Sequence, residues 1–493
     1  MDKVKWMIEK FVYPYMEKNA GNQIRWKLKE LKRYENFTPQ QLTALRKKKL
    51  EYLLTECIKS VPAYEPYRHL EEDIKKNSAA ALRQFPVLTK SKFKEDFDLY
   101  LHKDANSVAL VENFTGGSTS EPVKFFMDRH MVEYYEAARW RGLSWWGITP
   151  GSRSVMIWGN PMELDRYKAR AYSLKEKWLK NRIMIPAYAL KAEEMDNYLK
   201  TIRSYKPEYI YGYASALHLF SKLMLDRGLT LGLELKAVVS TAETLHDFQR
   251  EAIEAAFGCP LVNEYGARDG GILAYQCREG SMHISAENAV LEVVDPVTFE
   301  TLPRGESGVL LVTDLNNYVM PRLRYQIGDR AALSTESCPC GMGLPVLEKL
   351  DGREDDMFVT VDGKFIHGHA FNQVSRRMHS IRKFQIIQES PAYARLLIVA
   401  ADECDQNEID EFIDKARQLL PGTEVQVSMV EDIPVSGSGK FRYTIRKFAL
   451  NTNHRDRPRG GKTNHRDRPR GGKINHGDRP RGGKINHGVC PCG

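Results

Sequence analysis

Residues 113–124 read Asn-Phe-Thr-Gly-Gly-Ser-Thr-Ser-Glu-Pro-Val-Lys. The run gathers four hydroxyl side chains and two adjacent glycines and closes on a lysine. Glycine lets backbone N–H groups come close to an anion, Ser and Thr add donors, and lysine adds charge. That is the chemistry of a phosphate cradle. It is not the nucleotide-hydrolase loop, because the Gly-x-x-x-x-Gly-Lys-Ser/Thr spacing is absent. Alone, the run reads equally well as a polar turn, and the residues downstream decide between the two. A second set is Cys277, His283, Cys338 and Cys340. Three thiols and an imidazole suit tetrahedral Zn²⁺; buried, reduced thiols are the other reading. Cys338-Pro339-Cys340 is tighter than a Cys-x-x-Cys knuckle. The tetrapeptide recurs as Cys490-Pro491-Cys492-Gly493, for which we have no physical account.

The chain that must position these residues is 493 residues long, room for roughly two to four domains with ample core. At 42% hydrophobic and 28% charged it has the composition of a soluble globular protein. No apolar run approaches the ~20 residues of a membrane span. Met1-Asp2-Lys3-Val4-Lys5-Trp6 lacks the apolar core and cleavage site of a secretory signal, so the expected compartment is the cytoplasm. Eight unevenly spaced cysteines fit reduced thiols or a metal site better than a disulfide frame. The net charge of +9 is concentrated at one end: from Asn453 onward there are eleven Lys and Arg against three Asp. That leaves the rest of the chain near +1, with no electrostatic reason to expect nucleic acid on the folded part.

Residues 1–105 read as mostly helical. Residues 4–18 mix lysines with Trp6, Phe11, Tyr13 and Tyr15; a helix docked on its own domain is preferred to a membrane-surface helix, because Pro14 interrupts the pattern. After a helix at 131–146, apolar strands alternate with amphipathic helices. The strands fall at 154–158, 208–213, 235–240 and 261–265, with helices at 214–227 and onward to 257. This indicates βαβ units and a parallel sheet, whose ligands sit beyond the carboxyl ends of the strands. Ser240-Thr241-Ala242-Glu243 and Tyr265-Gly266-Ala267-Arg268-Asp269 lie at such ends. Short strands at 289–294, 308–313 and 323–325 read as an antiparallel barrel or sheet. The charged run 350–356 reads as a linker. Beyond it lies an α+β segment of roughly 90 residues, with a hairpin signal at 361–364, strands near 384–388 and 396–399, and a helix near 406–420. The end is a tandem repeat of period 11, with Pro and paired Gly in each of the three full copies and too little apolar surface to offset ordering. It is expected to be disordered, and a repeat expansion without a selected role is preferred to a polyanion tether.

Together these motifs resemble the adenylate-forming superfamily, in particular its phenylacetate–coenzyme A ligase-like branch with the relatives found in capsule polysaccharide synthesis. The resemblance covers residues 50–448 and keeps the family's motif order. It implies an α/β plus α+β fold: a large N-terminal adenylate-forming domain over 1–350, with parallel sheets, helices and an antiparallel barrel. A hinge at 351–357, a small mobile C-terminal lid over 358–448 and the tail over 449–493 follow. The implied activity is ATP-dependent activation of a carboxylic acid as an acyl-adenylate with transfer to coenzyme A. The alternatives are an amine or carrier acceptor in surface-polysaccharide synthesis, or a catalytically inactive binding protein.

The resemblance assigns Thr115, Gly116, Gly117, Ser118, Thr119, Ser120 and Lys124 to the ATP phosphates. Glu243 belongs to a motif beside the nucleotide, Tyr265 and Gly266 to the element at the adenine and acyl carboxylate, and Asp329 to the ribose hydroxyls. Arg353 follows in Gly-Arg-x-Asp-Asp, Asp355 is the hinge, and Lys440 is the mobile lysine of the lid. Mg²⁺ is expected to bridge the phosphates; the family's glutamate for it is replaced here by Asp269, one methylene shorter. Arg268 is weighed equally as a partner for an anionic substrate and as a salt bridge. Relatives sharing the Cys277, His283, Cys338 and Cys340 pattern imply a structural Zn²⁺. The expected partners are a small carboxylate and a thiol or amine acceptor. No transmembrane segment is expected, and a homodimer stays open.

Overall fold

The computed structural model describes residues 3–105, 110–114, 123–158, 170–187, 190, 192–353, 357–362, 365–367, 369–375, 378, 380–401, 404–434 and 441–448. The expectations placed on Thr115 to Ser120, Asp355, Lys440 and the repeat tail lie outside these residues. Those described belong to one compact unit, 1–448. None of their helices is long and apolar enough to cross a membrane.

The chain opens with α1 (Lys3–Met7), which runs through a π-helical turn (Ile8–Val12) into α2 (Tyr13–Ala20). The expectation that Pro14 breaks this helix is corrected. Pro14 stands in the first turn of α2, just after the π turn, where a missing N–H is tolerated. Then come α3 (Ile24–Tyr34), α4 (Pro39–Ser60), α5 (Glu71–Leu82) and α6 (Lys90–Glu95). Thr38 and Gln41 close a reciprocal capping box at the start of α4, satisfying two of its orphan donors. Strands β1 (Val111–Phe114) and β2 (Lys124–Met127) pair antiparallel and bracket the glycine–hydroxyl loop. Helix α7 (Arg129–Trp145) follows.

An eleven-stranded sheet organises the rest. Its parallel part contains β3 (Ser154–Trp158), β4 (Arg182–Pro186), β5 (Tyr209–Tyr213), β6 (Ala237–Thr241) and β7 (Leu261–Ala267), in the order β4-β3-β5-β6-β7. Side chains alternate across it. Ile210 and Val238 enter a core beneath helices Met195–Tyr205, Ala214–Asp226 and Asp247–Phe257, whereas Tyr209, Tyr211 and Val239 enter a core under α3 and α7. Burial on both faces is why β5 and β6 are almost wholly apolar or aromatic in sequence.

The antiparallel part continues the same sheet. It runs through β8 (Gly271–Gln276) and β9 (Met282–Ile284) to β13 (Val346–Arg353). Beyond that lie β12 (Tyr325–Leu333), β11 (Gly308–Asp314) and β10 (Ala289–Val294). Two expectations change here. The strand expected at 323–325 begins at Tyr325 and runs to Leu333. The charged run expected as a linker is, as far as Arg353, the end of an interior strand. There Lys349 pairs with Asp351 at 2.7 Å, and Asp351 also accepts from the Ser307 hydroxyl.

The C-terminal segment has its own core. Hairpin β14 (Met357–Val359) and β15 (Phe365–His367) precedes a four-stranded sheet of β16 (Ile381–Ser390), β17 (Tyr393–Ala400), β18 (Glu424–Met429) and β19 (Thr444–Arg446). Helix Gln406–Leu419 lays Ile409, Phe412 and Ala416 against Phe384, Ile386, Leu396 and Ile398.

The packing of α3 on α7 centres on a buried ion pair. Lys27 Nζ meets Glu133 Oε2 at 2.6 Å, and Glu133 Oε1 also accepts from the Gln23 amide. Beside it, burial and the two lysines Lys27 and Lys49 push the His130 imidazole down to about 4. Removing one partner strands a charge in the core, which costs about 3–5 kcal/mol, whereas replacing both with apolar residues is close to neutral. Glu133→Ala is therefore expected to lower the urea midpoint strongly, and Lys27→Met/Glu133→Leu to restore most of it.

Candidate active site

Of the described candidate residues, Glu243, Tyr265, Gly266 and Asp269 lie at or just beyond the carboxyl ends of β6 and β7. Tyr265, on β7, is buried and its hydroxyl donates to Asp329 Oδ2 on β12 at 2.7 Å. Asp329 is the backbone partner of Arg353 on β13. Asp329 and Arg353 are thus on adjoining strands, and Tyr265, on β7 three strands beyond β13 in the same sheet, reaches Asp329 through its side chain. A bulge between Tyr265 and Gly266 turns the end of β7. There a Cβ on Gly266 would come within 2.9 Å of the Gly271 carbonyl, so a larger residue does not fit.

Glu243 follows β6 through Ala242, whose φ of 67° is unusual for a residue with a side chain. That turn aims the carboxylate at the start of helix Ala214–Asp226. Glu243 Oε2 accepts from the Ser215 amide at 2.7 Å and Oε1 from the Ser215 hydroxyl at 3.0 Å. The C-terminal segment also reaches this point. The ring of Tyr443 lies 6.4 Å from Phe248, and burial together with the Glu243 charge raises its phenol pKa. Lys440 lies three residues before Tyr443 in the chain.

Asp269 is buried just beyond β7. Its backbone carbonyl accepts from Arg322 Nη2 at 2.8 Å, while its Oδ2 has no hydrogen-bond partner among the described residues. Arg322 is buried too, and its Nη1 is likewise unpartnered. Its guanidinium lies over the rings of Phe125, Tyr325 and Phe93, at 4.7, 5.6 and 5.7 Å. Phe125 is on β2, so Arg322 links the root of the glycine–hydroxyl loop to Asp269. Lys124, at the start of β2, pairs with Glu112 Oε2 across the hairpin at 2.6 Å and is half-exposed. Arg268 is exposed and forms no ion pair among the described residues.

Sequence reasoning missed Arg322. It also missed Arg139, on α7, and Glu264, inside β7 opposite Tyr211 of β5. Glu264 Oε1 accepts from the Tyr211 hydroxyl at 2.5 Å and the Thr241 hydroxyl at 2.9 Å, and its Oε2 faces Arg139 Nε at 3.6 Å. A signal existed: a glutamate inside an apolar strand needs a partner. Trp158 stacks on Tyr213 at the end of β5, with centroids 4.1 Å apart, whereas Trp145 and Trp146 bond Glu35 and the Gln276 carbonyl.

The four cysteine and histidine residues are brought together from three places: the end of β8, strand β9, and the loop before β13. Their donor atoms all lie within 4.8 Å of one another. Cys277 Sγ is 3.7 Å from Cys338 Sγ, and Cys340 Sγ is 3.2 Å from His283 Nε2. A tetrahedron with Zn–S of about 2.3 Å has S···S edges of roughly 3.8 Å. His283 Nδ1 lies 3.1 Å from the Leu344 carbonyl, an arrangement that puts the proton on Nδ1 and turns the Nε2 lone pair inward. Burial lowers the imidazole pKa and keeps it neutral.

Residues 358–447 match the CapK C-terminal domain family. The chain is similar to protein CapK of Staphylococcus aureus, 25% identical over 389 residues that cover 75% of this chain and 81% of that protein. It is also similar to phenylacetate-coenzyme A ligase of Thermus thermophilus, 25% identical over 347 residues, 66% of this chain and 73% of that one. A solved 2-hydroxyisobutyryl-CoA ligase, in the postadenylation state with R3-HIB-AMP, aligns with a TM-score of 0.63 at 18% identity, covering 84% of this chain and 91% of its own. The fold is that of the adenylate-forming ligases. Within that class the chain resembles the phenylacetate–coenzyme A ligase-like branch and CapK.

The Tyr265 hydroxyl donates to a buried carboxylate, a bond of about 1.5–3 kcal/mol when charge-assisted. Tyr265→Phe is expected to lower stability by about that amount in urea unfolding, and an unchanged midpoint would remove this bond from the account.

Proposed function

We propose that this chain is an AMP-forming acid–thiol ligase. It activates a carboxylic acid with ATP as an acyl-adenylate, releases pyrophosphate, and passes the acyl group to coenzyme A. The observation that carries this reading is the pair of orphaned polar atoms, Asp269 Oδ2 and Arg322 Nη1. They are buried together beside the strand end that bears Tyr265 and its Asp329 partner. A native interior leaves few such groups unmatched, and a pair of opposite sign suits a ligand that carries both an anion and a cation.

In the first half-reaction the substrate carboxylate attacks the α-phosphorus. An acyl O–P bond forms, and the bond to pyrophosphate breaks. Both partners are anionic, so the site must align them and neutralise the charge moving onto the leaving group. We assign Thr115, Gly116, Gly117, Ser118, Thr119, Ser120 and Lys124 to the phosphates, Asp329 to the ribose, and Tyr265 and Gly266 to the base and acyl carboxylate. Glu243 shapes the neighbouring wall by fixing Ser215. Asp269 fits Mg²⁺, since an unpartnered carboxylate oxygen is the donor such a hard cation takes directly or through water. Lys440, on a lid swivelling at Asp355 beside Arg353, supplies the remaining positive charge. In the second half-reaction the coenzyme A sulfur attacks the acyl carbonyl and AMP leaves. On the acyl side, Arg139, Glu264 and Tyr211 form an ionic and hydroxylic wall. We therefore expect acids bearing a hydroxyl or amino group to exceed phenylacetate. A cytoplasmic location suits the use of ATP and coenzyme A.

Acid-dependent exchange of labelled pyrophosphate into ATP, run over aryl, hydroxy and amino acids, tests the first half-reaction. Lys440→Ala is expected to slow exchange by about 100- to 1000-fold, the scale of one lost electrostatic donor. Absence of exchange with every acid would sink the proposal. Product analysis with coenzyme A or an amine then identifies the acceptor.

We assign the Cys277, His283, Cys338 and Cys340 cluster to a structural Zn²⁺. Elemental analysis of the purified chain is expected to give one zinc, and Cys338→Ser to lose it with a lower melting temperature. Zinc-free protein of unchanged stability would exclude the metal.

A further inference from the structure

Helices α1 and α2 carry an amphipathic pattern turned inside out. Lys5, Glu9 and Glu17 face the protein. Lys5 Nζ donates to Ser152 Oγ and pairs with Glu208, both at 2.9 Å. Glu9 accepts from the Thr149 hydroxyl, and Glu17 is buried and accepts from the Arg25 amide. The contact is close: a Cβ on Gly151 would come within 2.7 Å of the Lys5 carbonyl and 2.8 Å of Glu9 Cγ. Of the apolar residues here, Ile8 is wholly buried.

The outward face is aromatic and cationic. Met7, Phe11 and Tyr15 recur at intervals of four and form one stripe, exposed by 45%, 58% and 66%. Trp6, 42% exposed, packs edge-to-face on Phe11 with centroids 5.3 Å apart. Lys3, Lys10 and Lys18 flank the stripe, exposed and in no ion pair among the described residues. Both acidic residues of 3–20, Glu9 and Glu17, point inward, so none of its described carboxylates lies beside these lysines.

We infer that this segment docks the protein on an anionic lipid membrane. An interfacial helix has this composition: Trp and other apolar residues enter the headgroup boundary while lysines meet anionic lipid. The charge decides the partner, because three unpaired lysines around an aromatic stripe complement a negative surface. The placement agrees with use of the active site. Ser152, Glu208 and Lys236, which pairs with Glu208, precede β3, β5 and β6. The helix therefore sits at the amino ends of the parallel strands, whereas the candidate active site is at their carboxyl ends. Docking leaves that site facing away from the lipid.

The full-length chain is to be sedimented with vesicles of phosphatidylcholine, alone or mixed with phosphatidylglycerol, with tryptophan fluorescence followed in parallel. Binding to the mixed vesicles, a blue-shifted emission and weakening with salt are expected. The variant Trp6→Ser/Phe11→Ser/Tyr15→Ser should bind at least about tenfold more weakly. Lys3→Gln/Lys10→Gln/Lys18→Gln keeps the apolar contacts and should lose about as much. Neither should alter pyrophosphate exchange. Replacing the arginines of the 449–493 tail with glutamine separates the tail's charge; dependence on the three aromatics should persist. Failure of the wild type to bind mixed vesicles overturns the proposal. So does a serine variant that binds like wild type, or one that turns a dimer into a monomer in light scattering, which would seat a second copy on this face.

Discussion

The bond from Tyr265 to Asp329 is the joint on which the site depends. It crosses from the last parallel strand to the antiparallel part of the sheet, between residues 64 positions apart. Asp329 in turn pairs along the backbone with Arg353, at the end of the strand that leads into the C-terminal segment. One sheet therefore sets the relation between the strand ends that would hold a nucleotide and the point where the chain leaves the large body. Because it is a single hydrogen-bonded surface, shifting one of these residues disturbs the register of the others.

Around that joint the electrostatics fall into two kinds. The Lys27–Glu133 pair is fully matched and buried, and it holds α3 against α7. At the strand ends the charges are only partly matched: Asp269 and Arg322 each retain an unpartnered atom, and Arg139 stands 3.6 Å from Glu264. Buried polar groups without partners are costly. The Asp269 and Arg322 pair lies beside the carboxyl end of β7, where an unmatched group can meet a ligand. The cysteine and histidine cluster lies apart, tying β8, β9 and the loop before β13 where few apolar residues are available to do so.

Much of this was legible in the sequence, for identifiable reasons. Strands β5 and β6 were readable because burial on both faces makes them almost wholly apolar or aromatic and sets them off from the helices between. The cysteine set was readable because few residue types bind metal. Other elements were not. β9 has three residues, β4 is an edge strand held by β3 alone, and β8 follows β7 closely and folds back on it. The charged end of β13 looked like a linker, since its compensation by Ser307 and by pairing with β12 comes from distant parts of the chain.

By itself, then, the sequence determined the order of motifs, the alternation of strand and helix, and the residue types available for phosphate and metal chemistry. These follow from local periodicity and composition. Only the tertiary structure decided that the helix runs on past Pro14 and turns its aromatics outward. It alone seated Arg322 between three rings beside Asp269, and opposed Glu264 to Arg139. The physical reason is common to all three: each outcome is fixed by contacts between residues remote in sequence, and no local period encodes which side of an element another will cover.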